Sequence, residues 1–158
     1  MEPRTVINSV QDALAVGSVI LESAREELIW LVPPSINSLS RRYDFVEKAK
    51  AFIQRGGVSR GIVQISHANL EEVQMSVQNG EDIRHSDETH ELFMYVGDRQ
   101  RSISGINTGV DEYTLETPVT AFWSEDPAYA EYLLASFESA WSEAIPAEER
   151  IQKLLAQR

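Results

Sequence analysis

Apolar residues recur at helical spacing near the start of the chain, at Val6, Val10, Leu14, Ile20, Leu21 and Ala24, which predicts an amphipathic helix over residues 5–25. Gly17 weakens its middle. The run Leu28-Ile29-Trp30-Leu31-Val32 is too short for a buried helix and is stopped by Pro33-Pro34, so Glu27–Val32 reads as a buried strand. Ser38 or Ser40 can cap the next helix, whose apolar face is Tyr43, Val46, Ala49, Phe52 and Ile53 and whose stop is Gly56-Gly57. Gly61–Ile65 repeats the buried-strand signal. A strand, a helix and a strand on short connections predict a right-handed parallel crossover.

Leu70, Val73, Met75 and Val77 predict a short helix ended by Asn79-Gly80, with a short strand at Asp82–His85. Leu92–Val96 and Ser102–Ile106 flank the polar turn Gly97-Asp98-Arg99-Gln100-Arg101 and read as a hairpin. Thr117–Trp123 is a further strand, and Pro118 near its start places its first residues at a sheet edge. Ser124 or Asp126 caps a long helix with Pro127 in its first turn, Pro146 ends it, and a helical tail follows, so helices occupy residues 126–157. The expected fold is α/β: a mixed, largely parallel sheet flanked by helices on both faces, in a single domain over residues 1–158.

Composition narrows the chemistry. Fourteen Lys and Arg against 25 Asp and Glu give a net charge of -11, which repels phosphate backbones and anionic lipid, so no direct nucleic-acid binding and no membrane binding are expected. The chain has no cysteine, which removes disulfides, thiolate metal sites, iron–sulfur clusters and thiol nucleophiles. No stretch approaches a membrane span, and the opening Met-Glu-Pro-Arg lacks a signal-peptide pattern, so a cytoplasmic protein is expected.

One stretch carries a family pattern. Asp98-Arg-Gln-Arg-Ser-Ile-Ser-Gly105-Ile-Asn107 resembles the second half of the phospholipase D signature, with Asp98 and Gly105 in register and Asn107 one position closer to the glycine than in the family. Upstream, the family's His-x-Lys pattern is altered: His90 lies one residue too far from Asp98, and Leu92 takes the place of the lysine. The segment Glu27 to Pro34, the turn Arg55-Gly56-Gly57-Val58, and Ala121-Phe122-Trp123 with Asp126-Pro127 and Trp141 are similar to single-motif sensor domains of prokaryotic transcriptional regulators. The resemblance implies a phospholipase D-like half that senses or binds a ligand, acting as a homodimer or on a signalling or transcription-regulator partner.

Phospholipase D chemistry needs a histidine nucleophile, a second histidine as proton donor and lysines on the phosphoryl oxygens. One chain brings one motif histidine, and there is no lysine between Lys50 and Lys153, so no catalytic residue is expected. Were the chain active, His90, Asp98 and Asn107 would carry the reaction in a homodimer. The expected ligand-binding residues are His67 and Asn69, behind the second strand where open sheets place ligands, together with His90 and Asn107. The cluster His85, Asp87, Glu88 and His90 reads as a solvated acidic loop, so no metal site is expected, and no cofactor. Trp30, Trp123 and Trp141 fall on predicted core faces. An interaction domain that docks a basic partner on its acidic surface is the remaining reading.

Overall fold

The computed structural model describes residues 5–108 and 112–157; residues 1–4, 109–111 and 158 of the expected domain lie outside the described residues. The strands are β1 (Thr5–Ser9), β2 (Glu27–Leu31), β3 (Val58–Val63), β4 (Asp82–His85), β5 (Leu92–Gly97), β6 (Arg101–Ile106), β7 (Pro118–Ser124) and β8 (Ile145–Pro146). The helices are α1 (Val10–Ser23), α2 (Pro34–Leu39), α3 (Phe45–Gln54), α4 (Leu70–Gln78), α5 (Pro127–Glu143) and α6 (Ala147–Ala156), with a 3₁₀ turn at Ser40–Tyr43. The strands form one mixed sheet in the order β1-β7-β6-β5-β2-β3-β4-β8.

Helices cover both faces, as the sequence predicts. Leu28 and Trp30 of β2 pack under α1, α3, α4 and α6, while Ile29 and Leu31 face α5 through Leu133 and Phe137. Two covered faces are why β2 reads as an unbroken apolar run rather than an alternating one. Parallel pairing is confined to β2-β3 and β3-β4, narrower than the largely parallel sheet expected. Among the described residues the other neighbours pair antiparallel, which needs only a turn rather than a helical crossover.

The expected helix over 5–25 is corrected at its start. Thr5 to Ser9 form an edge strand on β7, with Val6 opposite Phe122 and Ile7 opposite Ala121, in keeping with their β-branched residues. The helix begins at Val10, where Ser9 Oγ accepts the Asp12 N–H at 3.2 Å. Because β1 takes the edge, Pro118 is not an edge residue as expected. It opens β7 opposite Ser9, where the register shifts, and a first strand position tolerates its missing N–H.

Two further boundaries move. β3 starts at Val58, three residues before the apolar run, and Gly61 within it lies flat against the Trp30 ring, where any Cβ would collide. The β5-β6 hairpin forms as predicted but turns more tightly: Gln100 N–H donates to Gly97 O at 3.0 Å, and Asp98 and Arg99 take φ of 54° and 56°. Positive φ at both central residues is the signature of a type I′ turn.

Candidate functional site: a cleft at the strand ends

β2, β3, β4 and β6 end, and β5 begins, at one rim of the sheet. β2 runs into Pro33-Pro34, where Pro34 opens α2. The loop Ser86–Glu91 leads from β4 into β5. Between them lies a cleft of about 230 Å³, lined among others by Pro34, Gln64, Asp87, His90, Leu92 and Asn107.

His90 and Asn107 therefore meet in one cleft. His90 is half-buried and its Nε2 is buried with no hydrogen-bond partner. Burial lowers its pKa and the Glu88 carboxylate partly opposes the shift, so the ring is neutral near pH 7. Asn107 is fixed at both ends: its N–H donates to Glu91 O at 2.8 Å, and its Oδ1 accepts the Tyr113 hydroxyl at 3.0 Å. Tyr113 is itself 2 % exposed, and its N–H donates to Ser35 Oγ on α2 at 2.9 Å. Tyr113 and Ser35 thus brace the cleft. Sequence reasoning missed both, because a tyrosine in a polar loop and a serine after two prolines carry no spacing pattern of their own.

The other predicted residues lie elsewhere. Asp98 sits at the opposite end of β5 from His90, its carboxylate accepting the backbone N–H groups of Arg25, Glu26 and Glu27 at 3.0, 2.8 and 3.0 Å. Partial burial works to raise its pKa, but these three donors outweigh it and the net shift is downward. Asp98 is a structural anchor for the start of β2. His67 is exposed on the turn after β3 and does not line the cleft. Asn69 is 1 % exposed; its Oδ1 accepts the Ser66 N–H at 2.9 Å and its Nδ2 donates to Gln64 O at 3.0 Å. It shapes the loop that carries Gln64 into the cleft.

His85 is 4 % exposed and turns inward, its Nδ1 accepting the Ile65 N–H at 2.9 Å. Asp87 Oδ1 lies 3.0 Å from its Nε2 but off the line of a hydrogen bond. Among the described residues no three His, Asp or Glu side chains come close enough together to hold a metal ion. No helix is long and apolar enough to cross a membrane. Trp30 and Trp141 are buried, while Trp123 is partly buried against the core with its indole N–H unpaired.

The described lining of the cleft is negatively charged. Among its described lining residues there is no Lys or Arg, and Asp87 and Glu88 are present. Leu92, at the family's lysine position, puts an alkyl side chain on the wall. A neutral imidazole, an oriented asparagine and a negative loop can hydrogen-bond a polar molecule.

No protein-family model and no curated protein matches the sequence. Solved structures do. An archaeal chromatin protein, TrmBL2, described with a novel mode of DNA binding, superposes with a TM-score of 0.69 at 16% identity, over 92% of this chain and 54% of that one. This chain thus spans about half the length of that protein. The phospholipase D family member Nuc from Salmonella typhimurium gives a TM-score of 0.68 at 13% identity, over 90% of this chain and 97% of that one. NucT from Helicobacter pylori gives 0.66 at 10% identity, over 90% and 98%.

The likeness to a DNA-binding chromatin protein corrects the expectation of no direct nucleic-acid binding. Net charge is a sum over the whole surface, whereas a nucleic acid meets one face of it, so a total of -11 does not decide the matter. Nuc and NucT are covered almost end to end, and on that likeness the chain has the phospholipase D-like fold.

Proposed function

We propose that the chain is a non-catalytic regulatory domain that binds a polar ligand in the His90–Asn107 cleft, working as a homodimer or on a signalling or transcription-regulator partner. The observation that carries this reading is the cleft's make-up: His90 and Asn107 come together in it, and its other described lining residues are neutral or acidic, with no Lys or Arg. The unpaired His90 Nε2 and the Asn107 side chain are the recognition groups. Ligands favoured by this lining are neutral or cationic and rich in hydrogen-bond donors, such as polyols and amines.

A thermal-shift screen of polyols and amines, repeated on His90→Ala, tests it. The expected outcome is a ligand that raises the melting temperature of the parent chain and not of the variant. Duplex DNA belongs in the same panel, by fluorescence anisotropy at two salt concentrations, because a protein of this fold is described as binding it.

A second reading, a residual phosphodiesterase active as a homodimer, is favoured by the likeness to phospholipase D family members and by the neutral, unpartnered His90 Nε2. In that chemistry the neutral Nε2 attacks phosphorus, a P–N bond forms as the P–O bond breaks, and His90 of a second copy in its protonated form gives its proton to the departing oxygen. Water then cleaves the P–N bond, that second His90 taking the water's proton. Turnover of bis(p-nitrophenyl) phosphate that disappears in His90→Ala would establish this reading and overturn the first.

A further inference from the structure

A second cavity, of about 60 Å³, lies under the α1, α3 and α4 layer and shares only Val32 with the lining of the cleft. Leu14, Phe45, Phe93 and Ile103 give it apolar walls. Ser40, Arg41, Ser76 and Tyr95 on its lining can donate, whereas Asn37, Glu72 and Glu81 offer acceptors. Asn37 Oδ1 and Glu72 Oε2 are buried with no hydrogen-bond partner. Glu81 is 8 % exposed, and its Oε1 accepts the Trp30 indole N–H at 3.1 Å and the Ser59 hydroxyl at 2.7 Å. The single cation on the described lining, Arg41, is already committed to Glu72 Oε1 at 2.8 Å and leads out to solvent with its side chain 58% exposed. Burial raises the Glu81 pKa, with hydrogen bonds from Ser59, Trp30 and Ser76 opposing it.

Buried acceptors are normally paired, and unpaired ones ask what donates to them. The cavity exceeds the roughly 10–15 Å³ that one water requires, and convergent polar groups in an apolar pocket with a perturbed carboxyl mark a binding site. A protonated amine has three donors and no acceptor, which complements two orphan acceptors and a carboxyl.

We propose that this cavity is a second binding site, taking the ammonium end of a small aliphatic amine between Asn37, Glu72 and Glu81, with its alkyl part against Leu14 and Phe93. The site does not depend on the reading of the His90 cleft, since Asn37, Glu72 and Glu81 lie outside that cleft's lining.

The probe is n-butylammonium, titrated into the ¹⁵N-labelled chain at fixed pH and ionic strength, with butan-1-ol and butyrate as controls. The readout is the Trp30 indole N–H signal, assigned by its loss in Trp30→Phe. A saturable shift is expected with the amine only, roughly tenfold weaker in Glu81→Gln. Asn37→Leu supplies an independent check: removing an orphan acceptor is expected to raise the melting temperature while weakening the amine. No saturable shift with butylammonium, an equal shift with the alcohol and butyrate, or unchanged amine binding in both Glu81→Gln and Asn37→Leu would overturn the proposal.

Discussion

Asp98 shows how a residue picked out by a motif can serve the fold instead of the chemistry. Its carboxylate gathers three backbone N–H groups at the start of β2, and hydrogen bonds to a charged acceptor contribute about 1.5–3 kcal/mol in typical cases. Asp98→Ala is expected to lower the unfolding free energy by about 1–3 kcal/mol in urea titrations. Because its folded pKa is depressed, the stabilisation is complete above the ordinary carboxylate pKa and disappears as pH falls through the lowered value. The two histidines beside the cleft act at higher pH. Burial lowers the pKa of His85, with Asp87 opposing it, and also that of His90. A depressed folded pKa means the unfolded chain binds the extra proton, so stability is full above pH 6.5 and falls as pH drops from there. Urea midpoints measured from pH 7.5 to 5 should follow this slope, and His85→Gln should flatten it, leaving the share that belongs to His90.

At the scale of elements, the β2-β3 pair is closely packed across the sheet. Gly61 on β3 makes room for the Trp30 ring, whose indole N–H is tied to buried Glu81. Gly61→Ala is expected to displace Trp30 and to cost about 1–3 kcal/mol, with a change in tryptophan fluorescence reporting the lost contact. Among the described residues the opposite face is covered by α5. Phe137 is fully buried against β2, β3 and β5 neighbours and stacks on Trp141 with ring centroids 5.5 Å apart. Phe137→Ala should cost about 3–5 kcal/mol, measured by the same urea titration. The α5 elements were legible because Asp126, Pro127 and a wide apolar stripe signal start and face together. The first five described residues were not: Val6 also fits the helical spacing of α1, and only pairing with β7 shows that it belongs to a strand.

For the whole molecule, burial sets a stability gradient across the sheet. β2, β3 and β5 are covered by both core clusters, whereas β1 and the two-residue β8 lie at the edges. Amide hydrogen exchange should be slowest in β2, β3 and β5 and fastest in β1 and β8. An exchange rate in β1 equal to that of β2 would contradict this gradient. The same arrangement puts the cleft at the carboxyl ends of β2 and β3 and the amino end of β5, so its recognition groups are carried on loops from a rigid frame.

Local pattern by itself determined the identity of most elements, the β2-α3-β3 crossover, the hairpin and the α/β class, because apolar period and turn residues act over a few neighbours. It also marked His90 and Asn107, through a family pattern. Which of the marked residues meet is a matter of strand direction. An antiparallel β5 carries His90 and Asp98 to opposite ends of the sheet, and the β5-β6 hairpin returns Asn107 to His90. Tyr113 and Ser35, and the Asn37, Glu72 and Glu81 acceptors around the inner cavity, are far apart in sequence and are brought together only by packing. No spacing rule reaches that distance; tertiary structure alone decided it.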